Sequence, residues 1–550
     1  MKTAQKLLYM VALALALTAC KEPMDEITGT DYPRTFSPIE IEVTHIRFDS
    51  ARIEWQSIDG ASAYTVELSG QGDSLQFSSI VRTWDNVDGT RLNVGGLWGE
   101  AQYSVRIKAK TFAEGKEDSK WKNHTWKTPA EQVFLSVRSV DIKGTSVKVR
   151  WSLPNGKLTE LRVSGGIDPI QLTETDMPNG ERELTGLKSN TSYTIALYDG
   201  TKKRGEVKPK TRWKPTGAEG NVVTLSIGQD LKAACEDAAN VGKIIYLPDN
   251  YTFDVLNSAE DNGMLIAGSM TIMGDPDASA KPKIKFFGDA GKRCFILPAN
   301  ADTILITNVI LEGDPAAGSG IIDQPNLSTD PKINTLKALV FENDELLNVG
   351  RGFVRLRSTT DTAVKSIESL SVNDCIFSNF GATNSNGIFI NVATEKGGID
   401  NITITNTTIY GQKMDFINAS GTGTTVVNNP VKKINIENCT FDDIVKESSD
   451  NRYFIQAANN TGLTATVKNC ILGKTATARQ FNGGSGSTAT ATDCYKTSDH
   501  ATTASYDFAS GVTAYSGSST TLWTNPAAGD FTFKDADFAG KATAGDPRWR

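Results

Sequence analysis

One short pattern, repeated along the C-terminal half of the chain, constrains the fold more than any other feature. It is a run of Ile, Val or Leu alternating with polar residues, then Asn or Asp, then a small residue. Clear copies are Ile304–Asn308, Leu370–Asp374, Ile402–Asn406, Ile434–Asn438, Ala465–Asn469 and Ala489–Asp493, with a weaker one at Asn343-Asp344. The residues that follow the clear anchors are Val309, Cys375, Thr407, Cys439, Cys470 and Cys494. Cys375, Thr407, Cys439 and Cys470 stand 32, 32 and 31 residues apart. A fixed period of this length marks a solenoid, in which no repeat buries its apolar face alone and stacking supplies the core. Alternation makes the repeats strands, so residues 220–550 are expected to form a right-handed parallel β-helix of about seven coils. Asn and Asp tolerate the left-handed conformation that a tight corner needs, and their side chains can stack on the next coil's copy. The cysteines then belong to an inward column of small residues, beside Phe377, Ile409, Phe441 and Leu472, and need no redox or metal role.

Residues 36–212 have another texture: short alternating strands separated by Gly, Asp, Asn and Ser turns, as in β-sandwiches. Arg52–Trp55, Tyr64–Leu68, Leu97 and Tyr103–Ala109 mark a first unit, and Val147–Trp151, Leu184–Leu187 and Thr191–Leu197 repeat its plan. Both units resemble fibronectin type III domains, through Trp55 and Trp151 and through the leucine-then-tyrosine pairs Leu97/Tyr103 and Leu187/Tyr193. The resemblance implies sandwich domains at 36–129 and 130–213, acting as spacers. The fold class expected for the whole chain is therefore all-β.

The coils resemble the pectin-lyase-like β-helix superfamily. Two further segments, Asn525–Phe531 and Gly545-Asp546-Pro547-Arg548-Trp549, resemble the closing part of uncharacterised β-helix lipoproteins encoded beside polysaccharide-uptake genes in Bacteroidetes. Fibronectin-like modules precede the helix in those proteins too. The resemblance implies a surface lipoprotein of the polysaccharide-utilisation type, with a polysaccharide and other glycan-uptake proteins as partners.

At the N-terminus, Lys2 and Lys6 precede an uncharged apolar run from Leu7 to Leu17 and the ending Leu17-Thr18-Ala19-Cys20. The run is too short to cross a bilayer core of about 30 Å and reads as a signal peptide. Its ending resembles the lipobox of bacterial lipoproteins, which implies a signal peptide at 1–20, lipidation of Cys20 and a tether at 21–35. Lys21, Glu22, Asp25 and Glu26 resemble an export tag, implying an outer-membrane lipoprotein that faces the exterior. A net charge of −7 argues against nucleic acid as a partner. Seven cysteines in 550 residues do not describe a disulfide scaffold. His45, His124 and His500 are scattered and lend no support to a zinc site or a Ser-His-Asp triad.

Each coil holds a second strand: Arg351–Arg357, Gly387–Asn391, Met414–Asn418, Arg452–Gln456 and a degenerate Arg479–Asn482. Alternation places Val354, Leu356, Ile388, Ile390, Ile417 and Ile455 on one face, with Asp415 and Tyr453 as exceptions. The other face carries Arg351, Arg355, Arg357, Asn391, Asn418, Arg452, Gln456 and Arg479, with Phe353, Phe389, Phe416, Phe454 and Phe481. Burying unpaired guanidiniums is prohibitive, so the arginines are expected at solvent. Two placements of the phenylalanines stay open. Facing outward, they form a ribbon that offers apolar faces to sugar rings, amides to hydroxyls and arginine forks to carboxylates. Facing inward, they form a core ladder, and the arginines are confined to strand ends.

The expected function is non-catalytic capture of an acidic, pectin-like polysaccharide. Its glycan-binding residues would be Arg351, Phe353, Arg355, Phe389, Asn391, Phe416, Asn418, Arg452, Phe454 and Gln456. A polysaccharide lyase or hydrolase on the same groove is the alternative, and a structural or adhesion role is a second. Elimination from a uronate needs a base near the α-proton and a cation for the developing charge. Arg355 or Lys413 could be the base, Asp415 is the only carboxylate on the aligned strands, and calcium would be called for only by a lyase. No compact set of acids suited to calcium is visible, and no other cofactor is expected. Asp374 and Asp493 read as corner residues, and Asp442-Asp443 as a solvated turn.

Overall fold

The first-sheet strands fall where the alternation places them, and the third-sheet strands begin about three residues later than expected, at Val354, Ile390 and Ile417. In this computed structural model the described residues are 32–550, apart from 71–74, 153–156, 174–175, 177–179, 217–218, 258–262, 289–292, 317–319, 325–332, 359–363, 382–386, 395–396, 421–429, 447–451 and 503. Cys20 and the expected signal peptide therefore lie outside the described residues. The chain divides into two compact units, one of residues up to 132 with 201–205, the other of 133–200 with 206–550.

In the first unit, Glu42–Thr44, Ser50–Glu54 and Arg91–Gly95 form a three-stranded antiparallel sheet. Ile80–Val87, Ala63–Ser69, Gln102–Lys110 and Lys122–Lys127 form a four-stranded one in that order. Their inner faces close on Trp55, Tyr64, Val66, Leu97 and Tyr103. A buried tyrosine must find a partner for its hydroxyl, and Tyr103 Oη accepts the Trp98 N–H at 2.8 Å. The second sandwich repeats the device: Tyr193 Oη accepts the Lys188 N–H at 2.8 Å, above a core of Trp151, Leu161, Leu184 and Leu187. Here Val147–Arg150 pairs with Glu181–Leu184, and Glu160–Val163 lies between Ile170–Gln171 and Ile195–Asp199.

The rest of the second unit is a parallel β-helix of three sheets. The first runs through ten strands from Val222–Thr224 to Thr488–Thr492. The second runs through ten from Thr252–Asn257 to Val512–Ala514, and the third through nine from Met264–Leu265 to His500–Thr502. The copies read from the sequence are consecutive rungs, and the sheets continue over further rungs on the N-terminal side. A short helix, Leu231–Glu236, buries Leu231 and Cys235 against the core at that end, as the open end of a solenoid requires.

All seven anchors adopt the left-handed conformation, with φ between 50° at Asn406 and 60° at Asp374. Their amides form a ladder: Asn343 Nδ2 donates to Asn308 Oδ1 at 2.7 Å, Asn438 Nδ2 to Asn406 Oδ1 at 3.2 Å, and Asn469 Nδ2 to Asn438 Oδ1 at 3.2 Å. The residues after the anchors, including Cys375, Cys439, Cys470 and Cys494, are buried and the cysteines free.

Asp374 breaks the ladder. With a carboxylate in place of an amide, it takes cations instead: Arg548 Nη2 donates to its Oδ1 at 2.8 Å, and Arg212 Nη2 pairs with its Oδ2. Arg548 is buried and also faces Asp546 at 3.5 Å. The segment before it packs Leu522, Trp523, Phe531 and Phe538 against Ile471, Tyr410 and Tyr495 on the outside of the second sheet. Asp546 accepts the Thr408 hydroxyl at 2.7 Å, and Trp549 Nε1 donates to the same oxygen at 2.7 Å. The closing segment is thus a strap along several rungs, locked by Arg548. Replacing Arg548 with Met leaves the buried Asp546 carboxylate without its cation and Asp374 with Arg212 alone, which costs about 3–5 kcal/mol. Limited proteolysis with mass analysis is expected to release the segment after residue 515 in this variant first, while the wild-type chain resists.

Candidate functional site

The outer face of the third sheet is a column set by register. Asp323, Arg355, Asn391, Asn418, Gln456 and Asn482 are successive Cα partners on six neighbouring strands. Alternation holds along each strand: Val354 and Leu356 are buried with Arg355 between them, and Ile390 and Val392 with Asn391 between them. Arg355, Asn391, Asn418, Gln456 and Asn482 are half-buried, and Asn482 Nδ2 donates to Gln456 Oε1 at 2.9 Å.

The phenylalanines do not share this face, which corrects the outward ribbon. Phe353, Phe389, Phe416 and Phe454 are buried and stack along the helix axis, with ring centroids 5.3, 5.1 and 4.9 Å apart. Phe481 is half-buried and packs against the same core. The reason is a corner. Phe389 O accepts from both Phe353 N–H at 2.8 Å and Val354 N–H at 3.1 Å, so the chain bends just before the strand begins. Two consecutive side chains then point inward, and the period of two starts one residue later. These four phenylalanines cannot stack on sugar.

Arg351, Arg355, Arg452 and Arg479 are half-buried, and each has a carboxylate or an aromatic ring beside it; the Arg357 side chain lies outside the described residues. Arg351 Nη1 is 2.7 Å from Asp323 Oδ2, and Arg355 Nη1 is 3.3 Å from the same oxygen. Arg452 Nη1 is 3.6 Å from Asp415 Oδ2. Arg479 donates to the Tyr453 hydroxyl at 2.7 Å and lies over the Tyr506 ring at 4.6 Å. Arg351, Arg355 and Arg452 are bonded through Nη1 only; their Nη2 and Nε atoms have no partner among the described residues.

Asp323 and its neighbour Gln324 were not singled out in the sequence. Asp323 is 1% exposed, and Gln324 is fully buried with neither amide atom bonded. The period held the signal. Gly320-Ile321-Ile322-Asp323 lies 32 residues before Gly352-Phe353-Val354-Arg355, but its lack of an aromatic hid the match.

The candidate acid–base residues are occupied separately. Arg355 sits on Asp323, while Asp415 Oδ1 accepts the Tyr453 N–H at 2.6 Å. Burial pushes the Asp415 carboxyl up, against the lowering effect of that bond and of Arg452. Lys413 is half-buried, and its backbone N–H donates to Phe380 O at 3.1 Å. Among the described residues no group of three or more His, Cys, Asp or Glu side chains is placed to hold a metal.

Asp442 is a second correction. Asp443 is the turn residue, with φ 50° and Lys446 at 2.7 Å. Asp442 instead is buried, accepting the Lys474 N–H at 2.9 Å.

The last coils and the strap, residues 434–549, match the family described as a domain of unknown function (DUF5123). Among solved structures, the chain is similar to a two-domain fibronectin type III segment of chicken tenascin. That match has 17% identity over 32% of this chain and 99% of the other, with a TM-score of 0.22. It is also similar to the central fibronectin III array of RIM-binding protein, with 15% identity over 32% of this chain and 61% of the other, and a TM-score of 0.14.

Burial pushes the Asp442 carboxyl up from 3.8 to about 6. The native state therefore keeps this proton to higher pH than the unfolded chain does. The resulting contribution to stability is fully present below about pH 4, is lost as pH rises from there to about 6, and stays lost above. Asp442→Asn keeps the acceptor for Lys474 and cannot ionise. Melting curves are expected to show the variant a few degrees more stable than wild type near pH 7.5, a gain on the order of 2 kcal/mol or less. The gain shrinks as pH falls toward 4.

Proposed function

We propose that this chain is a surface lipoprotein that captures an acidic, pectin-like polysaccharide on the outer face of the third sheet. The observation that carries the reading is the unused donor capacity of Arg351, Arg355 and Arg452. Arg351 and Arg355 spend Nη1 on the shared Asp323 carboxylate and Arg452 spends Nη1 on Asp415; each Nε is buried, and each Nη2 is left unbonded among the described residues. A planar guanidinium with free N–H groups is the side chain best matched to a sugar carboxylate. The column of Asn391, Asn418, Gln456 and Asn482 continues from Arg355 in register. Rungs about 4.8 Å apart give it a length of roughly 20 Å, over which amides can serve successive hydroxyls.

Binding here is polar, without aromatic stacking, and is expected to weaken as salt is raised. The lipobox-like ending at Cys20 supports a lipid anchor, and the export-tag-like Lys21, Glu22, Asp25 and Glu26 support an outward face on the outer membrane. The two sandwiches serve as spacers, and other glycan-uptake proteins are the partners on the cell surface.

Native gels cast with and without polygalacturonate test the reading, using the chain that lacks residues 1–20. The wild type is expected to be retarded, and Arg355→Gln to lose about tenfold or more in affinity, while Arg351 still neutralises Asp323. Mobility unchanged by any polyuronate would contradict capture. Release of an unsaturated uronate would replace it with the lyase.

A further inference from the structure

A second recess lies elsewhere on the same unit, where the exit of the second sandwich meets the outer edge of the first β-helix sheet. Its volume is about 500 Å³, and its walls include Trp213, Lys210, Glu342, Asn373 and Asn406. We propose that this cleft is a binding site for a neutral sugar residue of a glycan, distinct from the third-sheet face.

The cleft is rigidly built. Arg212 Nε donates to Ile142 O at 2.9 Å and its Nη2 to Ser139 O at 3.1 Å, and the same guanidinium pairs with Asp374. That charge pair neutralises itself and fixes the backbone that carries Trp213. The indole, 39% exposed, offers an apolar plane of the kind that covers a pyranose face. Opposite stands the first sheet, on which Glu342, Asn373 and Thr405 are successive partners in register.

The polar groups there are poised to bond something else. Asn373 Oδ1 accepts both the Thr405 hydroxyl and Asn406 Nδ2, each at 2.9 Å. This fixes the amide and leaves Asn373 Nδ2 as a donor with no partner among the described residues. The Glu342 carboxylate and the exposed Lys210 ammonium are likewise unbonded among them. A free donor, a free acceptor and an aromatic plane in one recess suit a polyhydroxylated ring, and clefts between domains are where small ligands bind. The Glu342 carboxylate and the Lys210 ammonium offset each other's charge and serve hydroxyls as acceptor and donor, so the cleft suits a neutral ring, unlike the uronate proposed for the other face.

Saturation-transfer NMR on the chain lacking residues 1–20 tests this. The probes are neutral oligosaccharides of glucose, galactose, mannose and N-acetylglucosamine, with an oligogalacturonate as the contrast. Transfer is expected to at least one neutral oligosaccharide. It should fall about fivefold or more in Trp213→Ala, and also in Glu342→Gln, which keeps the side-chain volume. Arg355→Gln should leave it unchanged, so failure of the third-sheet reading and failure of this one are separable. Transfer to no neutral oligosaccharide would overturn the proposal, as would transfer that survives both cleft substitutions.

Discussion

The structure of the second unit depends on one backbone conformation. At the end of each first-sheet strand from Asn300–Thr307 to Thr488–Thr492 a single residue turns left-handed, and the chain passes into the next sheet. Asn and Asp pay the smallest steric penalty there after glycine, and Asn adds a side-chain amide that donates to the rung before it. Corner, ladder and register are therefore one device. A slip of one residue would move the anchor off its corner and turn each strand's apolar side chains to solvent. The inward cysteines follow from the same constraint: the residue just past the corner sits where only small side chains fit, and buried thiols pack as small hydrophobes.

Asp374 is the place where that device does something further. Its carboxylate gives up the amide ladder and joins Arg212, which leads out of the second sandwich, to Arg548 in the closing strap. One rung is thereby tied to segments far away along the chain, and the Trp213 cleft is held in shape by the same pair. The two candidate glycan sites differ in chemistry accordingly. The third-sheet column has guanidiniums and amides with no exposed ring, while the cleft has an exposed ring with an unpaired carboxylate.

Much of this was legible in the sequence, and for definite reasons. The period near 31 residues, the left-handed anchors and the small inward column are local, so each repeat states them again. The sandwich cores were legible too, because Trp55, Trp151, Tyr103 and Tyr193 are large residues with fixed neighbours. What could not be read was non-local or depended on a bend. Alternation placed Phe353 and Phe389 on the face of Arg355 and Asn391, since period two carries no sign that the strand starts one residue after them. The partnership of Arg548 with Asp374 spans 174 residues, and no repeat announces it. Asp323 sat on the period but lacked the aromatic used to recognise its neighbours, so the arginines looked unpaired. Asp442 looked solvated beside Asp443, although a strand end divides the pair between the interior and the surface.

The central claim is that the left-handed corner, more than the amide ladder alone, sets the coil. Thermal unfolding of Asn406→Gly and Asn406→Val, measured side by side, tests it most directly. Both substitutions remove the bonds to Asn373 and Asn438, but only valine strains at φ 50°. Glycine is expected to cost about 1–2 kcal/mol for the lost hydrogen bonds, and valine a further 1–3 kcal/mol or so for the backbone. A valine variant melting at or above the glycine variant would contradict the account.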